Sequence, residues 1–199
     1  MNGLGSNAVK EYWDQRAKKQ GKLTTTLAGS TPDRADSDYA ERRAFFAGHV
    51  PTNVATLDYG CGVGRYTTMF HGAYVGVDIC SALVAIARKE HPDHDYRVLT
   101  QPSLAIEPAI RFRLVFTATV LQHNDDQAVR RILESIRHHN PAPSWAIYEN
   151  VDDQSRTVCG RHPDTYIEMV RAAGFPISDT FTTRHHFHGA EHAMTIIIP

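Results

Sequence analysis

The sequence predicts an α/β domain organised on a mainly parallel sheet. Three observations point to it. Short apolar runs alternate with amphipathic helical stretches, a glycine-rich turn follows the first of those runs, and the chain closes on two β-like segments too near each other for a helical crossover. The 199 residues are 42% hydrophobic and 22% charged, enough apolar material for one core, so a single domain over 1–199 is expected. Within it, residues 1–50 read as a helical segment and possible lid, and residues 51–199 as the core.

In chain order, residues 8–21 carry Val9, Tyr12, Trp13 and Ala17 at helical spacing, followed by a turn-rich tether that reaches Pro32. A second helix is expected over 38–49, stopped by Pro51. Strands are expected at 54–58, 74–78, 96–100, 114–118 and 145–149. Between them, a helix is expected to begin near Arg65. Ser81 is placed to cap another, built on Leu83, Val84 and Ala87 and ended by Pro92. Val129, Ile132, Leu133 and Ile136 form the buried stripe of a further helix before Asn140. Pro163 and Asp164 open the last one, which Gly174 closes. The final runs, about 177–187 and 192–198, are expected to pair as an antiparallel hairpin.

Charge and composition narrow the function classes. Twenty-one Lys and Arg against 22 Asp and Glu leave a net charge of −1, so no basic field exists to hold a phosphate backbone, and nucleic acid is disfavoured. The longest apolar runs fall well short of the ~20 residues a membrane span needs, and the N-terminus lacks a signal-peptide pattern. Three cysteines without metal-type spacing fit a reducing, cytoplasmic setting.

The most informative stretch runs from Val54 into Gly60, Gly62 and Gly64, and a second strand ends at Asp78, eighteen positions after Gly60. Glycine lets the backbone turn sharply and a ligand approach where a Cβ would intrude, while a carboxylate at the end of the adjacent strand can accept hydrogen bonds from ribose hydroxyls. Together they indicate a nucleoside. A dinucleotide fingerprint needs its third glycine at the sixth place, which here is Arg65, and the Gly-Lys-Ser/Thr phosphate loop is missing. The ligand predicted is therefore a nucleoside without pyrophosphate.

At these residues the sequence resembles the class I S-adenosylmethionine-dependent methyltransferases, small-molecule type. Asp58-Tyr-Gly-Cys-Gly-Val-Gly64 matches the family's first motif without a gap, Gly76-Val-Asp-Ile79 supplies its second, and Val120-Leu-Gln-His123 resembles the segment after its fourth strand. Tyr12-Trp13-Asp-Gln-Arg16 resembles an aromatic pair with a following arginine near the N-terminus of some members. The resemblance implies a Rossmann-like seven-stranded mixed sheet of order 3-2-1-4-5-7-6, strand seven antiparallel, with helices on both faces. It implies S-adenosyl-L-methionine as cofactor and S-adenosyl-L-homocysteine as product. Gly60, Cys61 and Gly62 would line the methionine part, Asp58 would hold its amino group, Asp78 the ribose and Ile79 the adenine. Gln101 stands where an acid usually meets the adenine amine, and Thr117, Tyr12 and Arg16 complete the cofactor set.

Transfer from a sulfonium is chiefly a matter of alignment, but a hydroxyl or protonated amine acceptor must also lose a proton. His123, just past the fourth strand, is the candidate base, a structural histidine being the other reading. Trp13, Glu149, Asn150 and His186 are the candidate substrate contacts. The segment His185-His186-Phe-His188-Gly-Ala-Glu191-His192 suggests a metal, yet neighbouring strand residues face opposite ways, so no metal is assigned. The expected activity is methylation of an oxygen or nitrogen of a small molecule. The alternatives are a nucleoside-binding protein without turnover and a nicotinamide-dependent oxidoreductase.

Overall fold

A computed structural model of the protein describes residues 6–20, 35–100, 111–151, 153–154, 157–187 and 189–199. Two helices, α1 (Ser6–Gln20) and α2 (Ala35–Ala47), precede the sheet. The strands are β1 (Thr56–Tyr59), β2 (Tyr74–Asp78), β3 (Asp95–Val98), β4 (Leu114–Ala118), β5 (Ser144–Asn150), β6 (Asp179–Phe187) and β7 (Ala190–Ile198), with helices α3 (Ser81–Glu90), α4 (Asp126–His139) and α5 (Pro163–Ala172) between them. Their order is β3-β2-β1-β4-β5-β7-β6, and every pairing is parallel except the two made by β7.

Burial explains why unbroken apolar runs form the middle of this sheet. β1 and β2 are buried along their whole length, and β4 and β5 at all but one end residue, as strands covered on both faces must be. The pleat divides the core in two. Leu57, Val75, Val115 and Ile147 meet the stripe of α4 and Tyr166, Met169 and Val170 of α5 on one face. Tyr74, Leu114, Phe116 and Tyr148 meet Phe46 of α2 and Val84 and Ala87 of α3 on the other. At the edge, β6 leaves Phe181 exposed.

Two local expectations are corrected. The turn after β1 leads not into an α-helix but into a three-residue 3-10 helix, Thr67–Met69. Gly64 stands at φ +76° just before it, and the β-branched Thr67 and Thr68 are weak helix formers. Ser81 does not cap α3: Cys80 holds the cap position and no side chain bonds there. By contrast Asp125, overlooked in the sequence, caps α4 by accepting from Ala128 N–H at 2.7 Å.

Candidate active site

The bend after β1 is fixed by glycine. Gly60 has φ +82°, and a Cβ there would lie 2.3 Å from Val120 Cγ2. The N–H groups of Gly60 and Cys61 both donate to Val77 C=O, tying the bend to the end of β2. Gly62, at φ +55°, donates its N–H to Asp78 Oδ2 at 2.9 Å, and Cys80 N–H donates to Asp78 Oδ1 at 2.8 Å. Asp78 is thus aimed by two backbone donors, each oxygen keeping a lone pair for a ligand. Burial raises its pKa, and those same N–H bonds hold the rise in check.

Asp58, on β1, is 2% exposed and accepts from Tyr74 Oη at 2.7 Å. Burial pushes its carboxyl up to about 7, with the negative charge of Asp78 adding and the Tyr74 bond opposing. An arriving ammonium group would therefore draw a proton from it near neutral pH. Cys61 is buried with its thiol pushed far up by desolvation, so it packs as a small apolar residue and is no nucleophile.

These groups line one cavity of about 460 Å³ together with Ile79, His123 and Asn150. Helix α1 contributes Val9, Tyr12, Trp13 and Arg16 to it. Trp13 and Ala17 pack with Val63, Cys80 and Leu83, which fixes α1 against the glycine bend and α3. Arg16 donates to Tyr12 Oη at 2.8 Å, and its guanidinium lies 5.8 Å from the Trp13 ring centre.

His123 lies in the 3-10 turn Leu121–His123 after β4. Its Nδ1 is 2.6 Å from Thr157 C=O. A carbonyl only accepts, so in the neutral ring Nδ1 carries the hydrogen and Nε2 the lone pair. Burial lowers the pKa of the imidazole, the positive Arg16 adds to that, and the Thr157 bond opposes it. Trp13 stands edge-on to the ring, centroids 5.4 Å apart.

Three sequence candidates sit outside the cavity. Glu149 is 2% exposed and accepts from the N–H groups of Val120, Leu121 and Gln122, so its carboxylate supports the His123 turn and does not line the cavity. Thr117 follows the pleat away from the cavity and donates to Glu149 at 3.4 Å. The His186 side chain is 77% exposed on the outer face of the hairpin, beside Glu191, and of the hairpin histidines His192 lines the cavity. Gln101 lies outside the described residues. Among the described residues no three His, Cys, Asp or Glu side chains converge as a metal site, and no helix is long and apolar enough to cross a membrane.

Sequence reasoning missed Arg42 and Gln122 and weighed His192 only within the metal-like hairpin segment; all three line the cavity. Gln122 takes Asn150 N–H on its Oε1 at 2.7 Å and so ties the turn to β5. Arg42 did leave a signal: Tyr39, Arg42 and Phe46 recur at three- and four-residue intervals on α2, which puts a charged residue on the buried stripe.

Sheet order and the antiparallel seventh strand give the Rossmann-like seven-stranded fold shared with methyltransferases, and the glycine bend and second-strand acid meet within it. Residues 56–140 match the family model described as a methyltransferase domain. Among solved structures, phosphoethanolamine N-methyltransferase 1 of Haemonchus contortus, in complex with phosphoethanolamine and S-adenosylhomocysteine, is similar at 16% identity and TM-score 0.70 over 98% of this chain. This chain spans 50% of that one. The [4+2]-cyclase SpnF is similar at 17% identity and TM-score 0.68, with 100% of this chain and 98% of that chain covered. Magnesium protoporphyrin IX methyltransferase of Synechocystis, with bound S-adenosylhomocysteine, is similar at 13% identity and TM-score 0.65, with 97% and 99% covered. No curated protein matches significantly by sequence.

Proposed function

We propose that the protein methylates an oxygen or nitrogen of a small molecule, with S-adenosylmethionine as donor and His123 as the base. One observation carries this reading: a single cavity contains both the glycine bend with its backbone-aimed Asp78 and an imidazole whose free Nε2 is fixed by the Thr157 carbonyl. The residues fit the donor, since Gly60 and Gly62 line the cavity with bare backbone and Asp78 keeps lone pairs for two ribose hydroxyls. When bound, S-adenosylmethionine supplies an electrophilic methyl group on a positively charged sulfur.

Asp58 meets the ammonium end of the donor, and Ile79 packs on its base. His123 takes, at Nε2, the proton that the acceptor atom loses as it gains the methyl group. Tyr12, Trp13 and Arg16 form the wall that α1 lays across the cavity, and they exclude water from it. Asn150 contacts the acceptor. The three cysteines are buried and unpaired, which supports a reducing, cytoplasmic setting.

The test joins titration with S-adenosylhomocysteine to a screen of small hydroxyl- and amine-bearing acceptors with methyl-labelled donor. Micromolar binding and label on an acceptor are expected. Absence of nucleoside binding sinks the reading, and binding without any labelled product leaves the non-catalytic binding protein in its place. The [4+2]-cyclase of similar fold is the reason the label itself must be followed.

A further inference from the structure

One end of the cavity is built around a charge with nothing to neutralise it. Arg42, on α2, is 3% exposed, and its Nε and Nη1 are closed off from water without any hydrogen-bond partner. Among the described residues no ion pair joins it to a carboxylate. What surrounds the guanidinium is aromatic: its carbon lies 4.4 Å from the Phe187 ring centre and 5.2 Å from that of Tyr148. The Tyr66 hydroxyl is a hydrogen-bond partner of the guanidinium, but ring faces only attract a cation, and Nε and Nη1 are left without an acceptor.

His192, on β7, shares that environment. It is 6% exposed, stacks on Tyr148 at 5.1 Å, and its buried Nδ1 also lacks a partner. Burial brings its imidazole down to about 4, the positive Arg42 adding to the effect, so at neutral pH it is an uncharged hydrogen-bonding group. Both side chains line the cavity that contains Asp78 and His123. Arg65 brings a second guanidinium to the same cavity wall, over the Tyr39 ring at 4.0 Å.

A buried guanidinium stripped of water and left unpaired lowers stability unless something else supplies the negative charge. Asp78 and Asp58 already serve the ribose and ammonium of the donor in this reading, so the orphan donors are assigned to the other occupant of the cavity. We infer that Arg42, with His192 beside it, is the anion-binding end of the acceptor site: the molecule methylated bears a carboxylate or phosphate group that pairs with Arg42. This rests on the reading of the cavity as a methyl-transfer site, and it narrows the acceptor to one chemical class. It also gives α2 a role, because this helix would read the acceptor while α1 closes over it.

The experiment follows thermal unfolding of the full chain saturated with S-adenosylhomocysteine, in inorganic phosphate or acetate titrated against sodium chloride of equal ionic strength. Wild type should show a saturable rise in Tm. Arg42→Gln should abolish it or need at least ~10-fold more anion, the loss expected for one charge-assisted contact, while binding S-adenosylhomocysteine as wild type does. A rise with phosphate alone assigns a phosphate-bearing acceptor, and a rise with acetate a carboxylate. No saturable rise with either anion, or an equal rise in Arg42→Gln, overturns the inference. If Arg42→Gln does not fold, Arg42→Lys replaces it: a half-saturation point shifted by ~10-fold supports the fork-like guanidinium contact, and an unshifted one overturns it. If wild type fails to bind S-adenosylhomocysteine, the methyl-transfer reading falls, and the same titration of the free protein still decides the anion site.

Discussion

Replacing Gly60 with alanine tests the glycine bend on two counts that can be separated. The backbone sits at φ +82°, a left-handed conformation that costs an L-residue about 1–2 kcal/mol. The new methyl carbon would also lie 2.3 Å and 2.7 Å from the two γ-carbons of Val120, a side chain with little χ1 freedom to retreat. Overpacking of this kind costs about 1–3 kcal/mol, so Gly60→Ala should lose about 2–5 kcal/mol in all. Val120→Ala removes both γ-carbons and leaves the strained backbone in place. In the double variant the steric part should return and the conformational part should not, which gives a coupling of at least about 1 kcal/mol. Urea unfolding of the four proteins measures this, with S-adenosylhomocysteine affinity as a second readout. A Gly60→Ala loss under about 1 kcal/mol, or additivity within about 0.5 kcal/mol, would refute the reasoning.

His123→Gln should lower kcat by about 10²–10⁴-fold at saturating acceptor with donor affinity unchanged. The wild-type rate should hold as pH falls through 6.5 and drop only below it, because burial lowers the pKa of this base; a drop centred above 6.5 contradicts the assignment. S-adenosylhomocysteine should bind more weakly as pH falls through about 7, where Asp58 takes up its proton and no longer offers a charge to the ligand's ammonium. Asp58→Asn should flatten that dependence, as calorimetry over pH 6–8 would record. Burial also pushes Glu149 up to about 7, so the folded state keeps a proton that the unfolded chain has released, and stability should decline between pH 4.5 and about 7. The slope is about 1.4 kcal/mol per pH unit at most, and Glu149→Gln should remove it. Equal pH slopes in the two proteins would disprove this.

Much of the architecture was legible because it repeats a simple pattern. The strands at 74–78 and 114–118 coincide with β2 and β4, and Pro163 and Gly174 mark the ends of α5 where expected. That the glycine bend, Asp78 and His123 share one cavity was legible for a related reason: they lie within or just after strands whose register the sheet fixes, so linear order maps directly onto position. Glu149 misled because its place at the end of β5 was read correctly and its partners were not. A carboxylate near a strand end looks identical in sequence whether it faces a ligand or the N–H groups of a neighbouring turn.

Local propensity and hydrophobic period therefore determined the strands, most helix boundaries and the glycine bend, since each depends on residues within a few positions of one another. Tertiary structure alone decided which side chains share the cavity. Arg42 and His192 are 150 positions apart and meet only because α2 packs against the face of the sheet where β7 runs antiparallel beside β5. The difference between His186 and His192 has the same origin: one pleat turns outward and the other inward, and hairpin register fixes which is which. No local rule carries that information, because unpaired charge and burial are properties of the assembled core and not of the residues that flank them in the chain.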